Sequence, residues 1–300
     1  TNGSLVEEVA AELPEVPGAA VIGEPEGKNT APAIGLAAGL LHAREEDAVM
    51  LALPADHAIG DPEAFRETVE RAFQVAAESP VLVLFGVVPS RPETGYGYIE
   101  RGEPASVTGE GFEVARFVEK PDPETARSLW RDGRHFWNSG LFCGRAATFL
   151  EEYAEHLPLM RRAIDAAVDG WESDPGQALE RYYASVEATS IDYGIMQQCE
   201  RAVMVTASGW GWDDVGSWDA LARWSEPDER GNVTVGRAEA RDCDDVIAYA
   251  QEGRIAVLGM EDCVVVRSAG ETLVVHRDAL GGLKEFVREV RAGSRVDPER

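Results

Sequence analysis

Two aspartates in separate segments could hold a divalent cation. Asp56 lies in LPADH at 53–57, where the apolar run AVMLALP at 48–54 predicts a buried parallel strand that ends in a turn. Asp214 lies in WGWDDVGSW at 210–218. Mg²⁺ binds one or two carboxylates together with substrate phosphates and water, so this pair would be sufficient for a magnesium site. The alternative for Asp56 is a turn residue that caps its own loop, and spacing alone does not show that the two carboxylates meet.

Three segments between these aspartates could bind a phosphorylated ligand that is rich in hydroxyl groups. The glycines of RPETGYGYI at 91–99 would let backbone amides approach a ligand closely, with a glycine-rich hairpin as the alternative. FVEKP at 117–121 places Glu119 and Lys120 after a predicted strand, where they offer an acceptor for hydroxyl groups and a cation for phosphate. A solvated ion pair at a strand end is the alternative there. The third segment is WNSG at 137–140.

The elements that must position these residues alternate between strand-like and helix-like up to about residue 225. Helices are predicted at 33–43, 61–78, 123–130, 146–156 and 216–224 and over much of 160–186, with strands at 48–54, 81–88, 112–118 and 203–206. This alternation predicts an α/β fold with an open, mostly parallel, Rossmann-like sheet. Ligands bind beyond the carboxyl ends of such strands, so a site is expected just after Pro54, Val88, Glu119 and Trp212.

The pattern of predicted elements changes after segment 225–231, which is rich in Pro, Gly and charged residues. Residues 232–276 contain short β-like runs about ten residues apart, which is typical of hairpins or of the coils of a β-solenoid. An amphipathic helix is predicted at 280–292. We therefore predict a first domain at 1–225 and a small β-rich, β-helix-like domain at 232–300.

Composition limits the possible partners. The chain has 300 residues, of which 44% are hydrophobic, so a core can be buried. It has no apolar run near the ~18 residues of a membrane helix and no signal-like start, which predicts a soluble cytoplasmic protein. The net charge of −26 argues against nucleic acid and against an anionic membrane as partners. It would also repel a nucleotide, so a nucleotide site would need a bound cation and local donors.

Taken in order, a set of short segments resembles those of mannose-1-phosphate guanylyltransferases, a family of sugar nucleotidyltransferases. The segments are EP at 24–25 with NTAPA at 29–33, LPADH at 53–57, PETGYGYI at 92–99, FVEKP at 117–121, WNSG at 137–140, SIDY at 190–193 and WDDVGSW at 212–218. The resemblance is close over 1–225, where it implies a GT-A-like form of the predicted sheet, and looser over 232–276. It implies Mg²⁺-dependent in-line attack of mannose 1-phosphate on the α-phosphate of GTP, which gives GDP-mannose and pyrophosphate.

The resemblance also implies roles for individual residues. Asp56 and Asp214 would hold Mg²⁺, and Lys120 would contact the phosphate of the sugar phosphate; these three are the predicted catalytic residues. The residues predicted to line the sugar pocket are Glu93, Gly97, Glu119, Asn138 and Asp192. Those predicted to surround the guanine and ribose are Glu24, Asn29, Thr30 and Pro54. The assembly state is left open, with a homodimer as one candidate.

One segment of the family pattern has no counterpart in this sequence. Family members begin with a strand and a glycine-rich loop, GGxGxRLxPL, whose amides and basic residues hold the triphosphate. GEPEGKN at 23–29 is one residue too short for a P-loop and ends in Asn. We therefore expect the chain to be a fragment of a complete enzyme. The alternatives are a non-catalytic sugar-nucleotide-binding or regulatory relative, which would not need both Asp56 and Asp214, and a nucleotidyltransferase for another hexose 1-phosphate.

Overall fold

The structure, a computed structural model, describes residues 1–105 and 111–293 of the chain. The chain divides into two compact units, Thr1–Trp212 and Asp213–Arg300, called unit 1 and unit 2 below. Each unit contains hydrophobic clusters of its own. In the part of the chain that the structure describes, no helix combines the length and the apolar character needed to cross a membrane.

Four of the seven described helices of unit 1 begin at a side chain that caps their first turn. The seven helices are α1 (Val6–Glu12), α2 (Thr30–Arg44), α3 (Pro62–Glu78), α4 (Pro123–Asp132), α5 (Ala146–His156), α6 (Pro158–Trp171) and α7 (Pro175–Ser185). Asp61 caps α3 by accepting hydrogen bonds from the backbone amides of Glu63 and Ala64. Asn29 caps α2 through its side chain, which accepts from Thr30 N. The predicted helices are confirmed, and α1 is an additional one.

The strands of unit 1 are β1 (Val49–Ala52), β2 (Ala58–Ile59), β3 (Leu82–Val87), β4 (Tyr98–Pro104), β5 (Phe112–Val118), β6 (His135–Arg145), β7 (Ala202–Ala207) and β8 (Trp212–Asp213), of which β8 ends in the first residue of unit 2. The main sheet has the order β1-β6-β3-β7-β5-β4, and β6 also pairs with β4. The predicted strands are confirmed, whereas β2, β4, β6 and β8 were not predicted.

The main sheet is mixed. Strands β1, β3, β4 and β7 run in one direction and β5 and β6 in the other, so the predicted mostly parallel direction holds for four of its six described strands. Among the described strands of the main sheet, β3 and β7 are parallel, whereas β1–β6, β3–β6, β4–β5, β4–β6 and β5–β7 are antiparallel. The predicted strand at 48–54, which becomes β1, therefore has an antiparallel neighbour. The physical reason is β6, a long strand that runs between β1 and β3 in the opposite direction. A buried apolar run shows that a strand is covered on both faces, but it does not show the direction of its neighbours.

The main sheet is covered on both faces. Leu82 and Leu84 of β3 belong to a core cluster with residues of α2, α5, α6 and α7. Val83 and Phe85 alternate with them and belong to a second cluster with residues of α3. This arrangement of helix, sheet and helix layers explains why β3 is apolar throughout, and it confirms the α/β class.

Unit 2 contains α8 (Trp218–Arg223), β9 (Val233–Arg241), β10 (Ile247–Leu258), β11 (Cys263–Ser268), β12 (Glu271–His276), a 3₁₀ helix (Arg277–Gly282) and α9 (Leu283–Gly293). β9, β10 and β11 are parallel, with Ile247 beside Val233 on one side and Val264 on the other. β12 returns antiparallel to β11. Parallel strands joined by short turns are typical of a β-solenoid, so the small β-rich, β-helix-like domain is confirmed.

Candidate active site

Residues from four separate segments of unit 1 contact one another beside the main sheet. Asn138 N donates to Gly97 O at 2.8 Å, and Asn138 Nδ2 donates to Asp192 Oδ1 at 2.8 Å. Gly97 lies against Glu119, because a Cβ at Gly97 would be 2.5 Å from Glu119 Oε2. We call Gly97, Glu119, Asn138 and Asp192 the carboxylate pocket. These are four of the five residues that the sequence predicted for a sugar site.

Each pocket residue lies at the end of an element or at an irregular point in one. Gly97 precedes β4, and Glu119 follows β5. Asn138 lies in β6 two residues before Gly140, where φ is +73° and the pairing with β3 shifts register. Asp192 begins a π-helical turn, Asp192–Met196, a rare backbone geometry that is frequent at functional sites. The irregularities turn polar side chains toward one place on an otherwise apolar sheet.

The two carboxylates of the pocket lie in a poorly hydrated environment. Only 6% of the Glu119 side chain is exposed, and its Oε1 pairs with Lys120 Nζ at 2.9 Å. Within the described residues, Glu119 Oε2 is buried without a hydrogen-bond partner. Burial, followed by the charge of Glu119, raises the pKa of Asp192 to about 6. Buried acceptors of this kind require donors, and ligand hydroxyl groups would supply them.

Lys120 is a cation at the edge of the carboxylate pocket. Its hydrogen bond to Glu119 raises its pKa, so the ammonium group stays charged at neutral pH. The backbone of Lys120 has φ +45°, in the left-handed region, and its N–H donates to Tyr96 O at 3.2 Å. A non-glycine residue in this region is uncommon and is often found at functional sites. The Lys120 side chain is about half exposed, which leaves it accessible to an anionic ligand.

Glu93, the fifth residue predicted for the sugar pocket, is bonded to its own loop. Its Oε1 accepts from Thr94 N at 3.0 Å and Gly95 N at 3.1 Å, and its Oε2 pairs with Arg91. Its carbonyl oxygen accepts from Tyr98 Oη at 2.9 Å. In the structure Glu93 therefore fixes the shape of the glycine-rich segment that precedes Gly97. A direct contact between Glu93 and a sugar stays a prediction.

An aromatic cluster lies next to the pocket, and it was not among the predicted site residues. The Tyr96 ring makes edge contacts with Trp137 at 5.2 Å and with Trp212 at 5.3 Å between ring centroids. Trp212 Nε1 donates to His57 Nδ1 at 3.1 Å, so neutral His57 carries its proton on Nε2. Arg91 lies over the Trp137 ring at 5.2 Å from its centroid. The sequence did contain a signal for this cluster, because each of the motifs that supply these rings has an aromatic residue beside its polar ones.

The four residues predicted to surround the nucleotide all lie in unit 1, next to different elements. Asn29 and Thr30 form the start of α2, and Asn29 has φ +69° and ψ −168°. Glu24 lies near Tyr183, whose pKa is raised by burial and then by the Glu24 charge. Pro54 lies beside the bend in β6, since a Cβ at Gly140 would be 3.8 Å from Pro54 Cγ. Binding of a nucleotide by these four residues stays a prediction.

Comparison with known proteins identifies the family. A family model of nucleotidyl transferases matches residues 4–231, which is more than half of the chain. The chain belongs to the nucleotidyl transferase family. A second family model, of the MannoseP isomerase/GMP-like β-helix domain, matches residues 236–290 of this nucleotidyl transferase.

Several relatives resemble this nucleotidyl transferase along most of its length. A mannose-1-phosphate guanylyltransferase of Escherichia coli (strain K12) is 40% identical over 281 residues, which cover 92% of the chain and 58% of the relative. The xanthan biosynthesis protein XanB of Xanthomonas campestris pv. campestris (strain B100) is 40% identical over 280 residues, which cover 93% of the chain and 58% of the relative. The chain thus spans 58% of the length of these curated relatives. The crystal structure of mannose-1-phosphate geranyltransferase from Thermus thermophilus has a TM-score of 0.79 and 34% identity, covering 96% of this chain and 89% of its own.

The two aspartates predicted to hold Mg²⁺ lie in different units of this nucleotidyl transferase. Asp56 is exposed in the turn after β1, and among the described residues its side chain has no hydrogen-bond or ion-pair partner. Asp214 lies in unit 2 and accepts from Gly216 N at 3.2 Å. The neighbouring Asp213 accepts from Val215 N and pairs with Arg223 at 2.6 Å, so its carboxylate is used inside unit 2. The carboxylate donors suit Mg²⁺, and their joint use stays a prediction.

Another group of possible metal ligands lies on α5. Ligand atoms of Glu152, Glu155 and His156 are close enough together to share an ion. Glu152 already pairs with Arg201 at 2.6 Å and with His156 at 3.2 Å. The buried carboxylate is therefore neutralised by a cation of the chain, which argues for a structural role.

Proposed function

We propose that the protein transfers a guanylyl group from GTP to mannose 1-phosphate and releases GDP-mannose and pyrophosphate. The carboxylate pocket carries this proposal, because it combines a buried unpaired acceptor of Glu119 with Asp192, Asn138 and the adjacent cation of Lys120. A hexose phosphate has the complementary groups, namely hydroxyl donors on a ring and one anionic end. The family, and the name of the 40%-identical mannose-1-phosphate guanylyltransferase of Escherichia coli, support the same reaction.

The pocket would act by positioning the sugar phosphate. Glu119 Oε2 and Asp192 would accept hydrogen bonds from ring hydroxyls, and Asn138 holds Asp192 in place. Lys120 would bind the phosphate, so that one of its oxygens faces the α-phosphorus of GTP for in-line attack. No covalent intermediate with the protein is required, because the sugar phosphate is itself the nucleophile. The ion pair with Glu119 holds the Lys120 side chain at the pocket before the ligand arrives.

Mg²⁺ belongs to the same proposal. When bound, the ion would neutralise negative charge on the phosphates, which a chain of net charge −26 cannot do by its overall field. The proposed ligands are Asp56 and Asp214. A cytoplasmic location and the absence of nucleic-acid and membrane partners are further proposals that come from the sequence, and a homodimer is one candidate for the assembly.

The proposed reaction is tested by pyrophosphate release from full-length protein. GTP, UTP and dTTP are each combined with mannose 1-phosphate, glucose 1-phosphate and galactose 1-phosphate, with Mg²⁺ present. We expect the highest kcat/KM for GTP with mannose 1-phosphate. A clear preference for another pair would reassign the specificity, and no turnover with any pair would favour a binding or regulatory relative.

A matched pair of variants tests whether the carboxylate pocket is responsible. Glu119→Gln keeps the shape of the side chain but removes an acceptor oxygen, and it should raise KM for mannose 1-phosphate by about tenfold or more. Glu113→Gln, at an exposed position in β5, the strand that Glu119 follows, should behave as the parent protein. If both variants had parental KM values, the carboxylate pocket would not be the sugar site.

A further inference from the structure

Two segments of unit 1 that are distant in sequence are joined by backbone hydrogen bonds and one hydroxyl. Thr189 N donates to Lys28 O at 3.2 Å, and Ala31 N donates to Thr189 O at 3.1 Å. Ile191 N donates to Thr30 Oγ1 at 3.0 Å. We call these three hydrogen bonds the 30–191 link. Because the chain between the two segments contains most of unit 1, the link is a tertiary contact and not a local turn.

One side of the 30–191 link surrounds Asn29. Asn29 has φ +69° and ψ −168°, a combination that is nearly restricted to glycine. Strained residues persist only where the neighbouring structure holds them. Here Lys28, Thr30 and Ala31, the residues on both sides of Asn29, are all fixed by the link. The link therefore determines where Asn29 is placed.

The other side of the 30–191 link leads directly into the carboxylate pocket. Ile191 is fully buried and immediately precedes Asp192. Asp192 is in turn fixed by the hydrogen bond from Asn138 Nδ2. A displacement of Thr30 thus reaches Asp192 through one hydrogen bond and one peptide unit. Thr30 is predicted from sequence to contact the nucleotide. Its hydroxyl oxygen accepts from the amide of Ile191, the residue before Asp192, which is predicted to bind the sugar.

We propose that the 30–191 link couples the nucleotide and the sugar phosphate, with Thr30 as the positioning residue. A ligand that contacts Asn29 and orders residues 28–31 also orders 189–191, so the second ligand binds to a pocket that has already lost part of its conformational freedom. The coupling is reciprocal, since each ligand must raise the affinity for the other by the same factor. This inference rests on the proposed function, because it takes Asn29 as a nucleotide contact and Asp192 as a sugar contact.

The experiment compares Thr30→Val, which removes the hydroxyl at nearly constant shape, with Thr30→Ser, which retains it. The dissociation constant of mannose 1-phosphate is measured by calorimetry on full-length protein, with and without a saturating non-reacting analogue, α,β-methylene-GTP, at constant Mg²⁺. We expect the analogue to tighten mannose 1-phosphate binding by about fivefold or more in the parent protein. Thr30→Val should reduce this factor toward one, because a neutral hydrogen bond contributes roughly a fivefold change in an equilibrium. Thr30→Ser should keep the factor.

Hydrogen exchange on the parent protein gives a second readout that does not depend on any variant. Adding α,β-methylene-GTP alone should slow exchange of the Ile191 amide. The inference is overturned if exchange at Ile191 does not change, if the parent protein shows a factor of one, or if Thr30→Val keeps the parental factor. In these cases both ligands still bind, and the proposed function stands. If the parent protein binds neither ligand, the proposed function fails, and the inference fails with it.

Discussion

Replacing Asp192 by asparagine should stabilise the protein at neutral pH and not in acid. Asp192 is partly buried, its Oδ1 accepts from Asn138 Nδ2, and its nearest charged neighbours are Glu119 and Lys120. Burial, with the Glu119 charge as a second cause, raises its pKa from 3.8 to about 6. Asparagine has the same shape and can still accept from Asn138, but it carries no charge. The substitution thus removes the cost of keeping this carboxylate ionised in a poorly hydrated place.

The pH dependence has a definite sign. Because the pKa is higher in the folded protein, the folded state holds the proton more tightly, and folding is favoured as the pH falls through about 6 toward 3.8. This contribution is fully present below the unfolded pKa and is lost above the folded pKa. A shift of about two pKa units corresponds to a change of about 3 kcal/mol in the free energy of unfolding, which is an upper bound. The stability difference between Asp192→Asn and the parent should therefore grow by about 2 kcal/mol between pH ~4.5 and pH ~7.5.

Urea unfolding of both proteins, at several values across this pH range, measures the difference. A constant offset from altered packing cancels, because only the change with pH is compared. Glu119→Gln provides a control on the second cause, since it should lower the pKa of Asp192 and move the transition to lower pH. A stability difference that stays constant from pH ~4.5 to ~7.5 would refute the reasoning, because an ionisation cost must depend on pH. The variant should also lose affinity for mannose 1-phosphate while it gains stability.

Substitutions at three further positions give separate tests. Lys120→Ala and Lys120→Gly should both raise KM for mannose 1-phosphate with little change in KM for GTP. The glycine variant should have a free energy of unfolding about 1 kcal/mol higher than that of the alanine variant, because φ is +45° at this position. Equal stabilities of the two variants would argue against backbone strain. Asp214→Asn should lower kcat by about 100-fold, as measured by pyrophosphate release at saturating Mg²⁺, because a metal ligand is lost; near-parental turnover would remove Asp214 from the metal site. Asn29→Gly should raise the free energy of unfolding in urea by about 1 kcal/mol, since glycine relieves the strained φ and ψ while the lost cap costs only a few tenths; a destabilised variant would contradict this.

Much of the fold could be predicted from local signals. Asp61 followed by Pro62 predicted the start of α3, and the alternating residues of β5 predicted that strand. β6 was missed because Asn138, Ser139 and Gly140 are typical of a turn, whereas the structure keeps them in a strand that bends at Gly140. Tertiary packing on both faces overrides the local preference there.

The candidate site could be predicted only in part. Resemblance to a family named the residues of the carboxylate pocket, but spacing in sequence could not show that Glu119 and Asp192 meet. The role of Thr30 as a hydrogen-bond partner of Ile191 was beyond sequence reasoning, because a threonine at a helix start usually indicates capping alone. The Trp212–His57 hydrogen bond was missed because it joins residues far apart in the chain, which spacing in sequence does not bring together.

With the sugar bound as proposed, the bend in β6 would tie substrate choice to the hydrophobic interior. Asn138 lies on one side of Gly140 and Phe142, a residue of the main core, lies two positions beyond it on the other. A conservative change at Phe142 that shifts the strand by a fraction of an ångström would also shift the amide that orients Asp192. Relatives that differ only in apolar side chains under the sheet could thus discriminate between sugars differently, with identical polar residues in contact with the ligand.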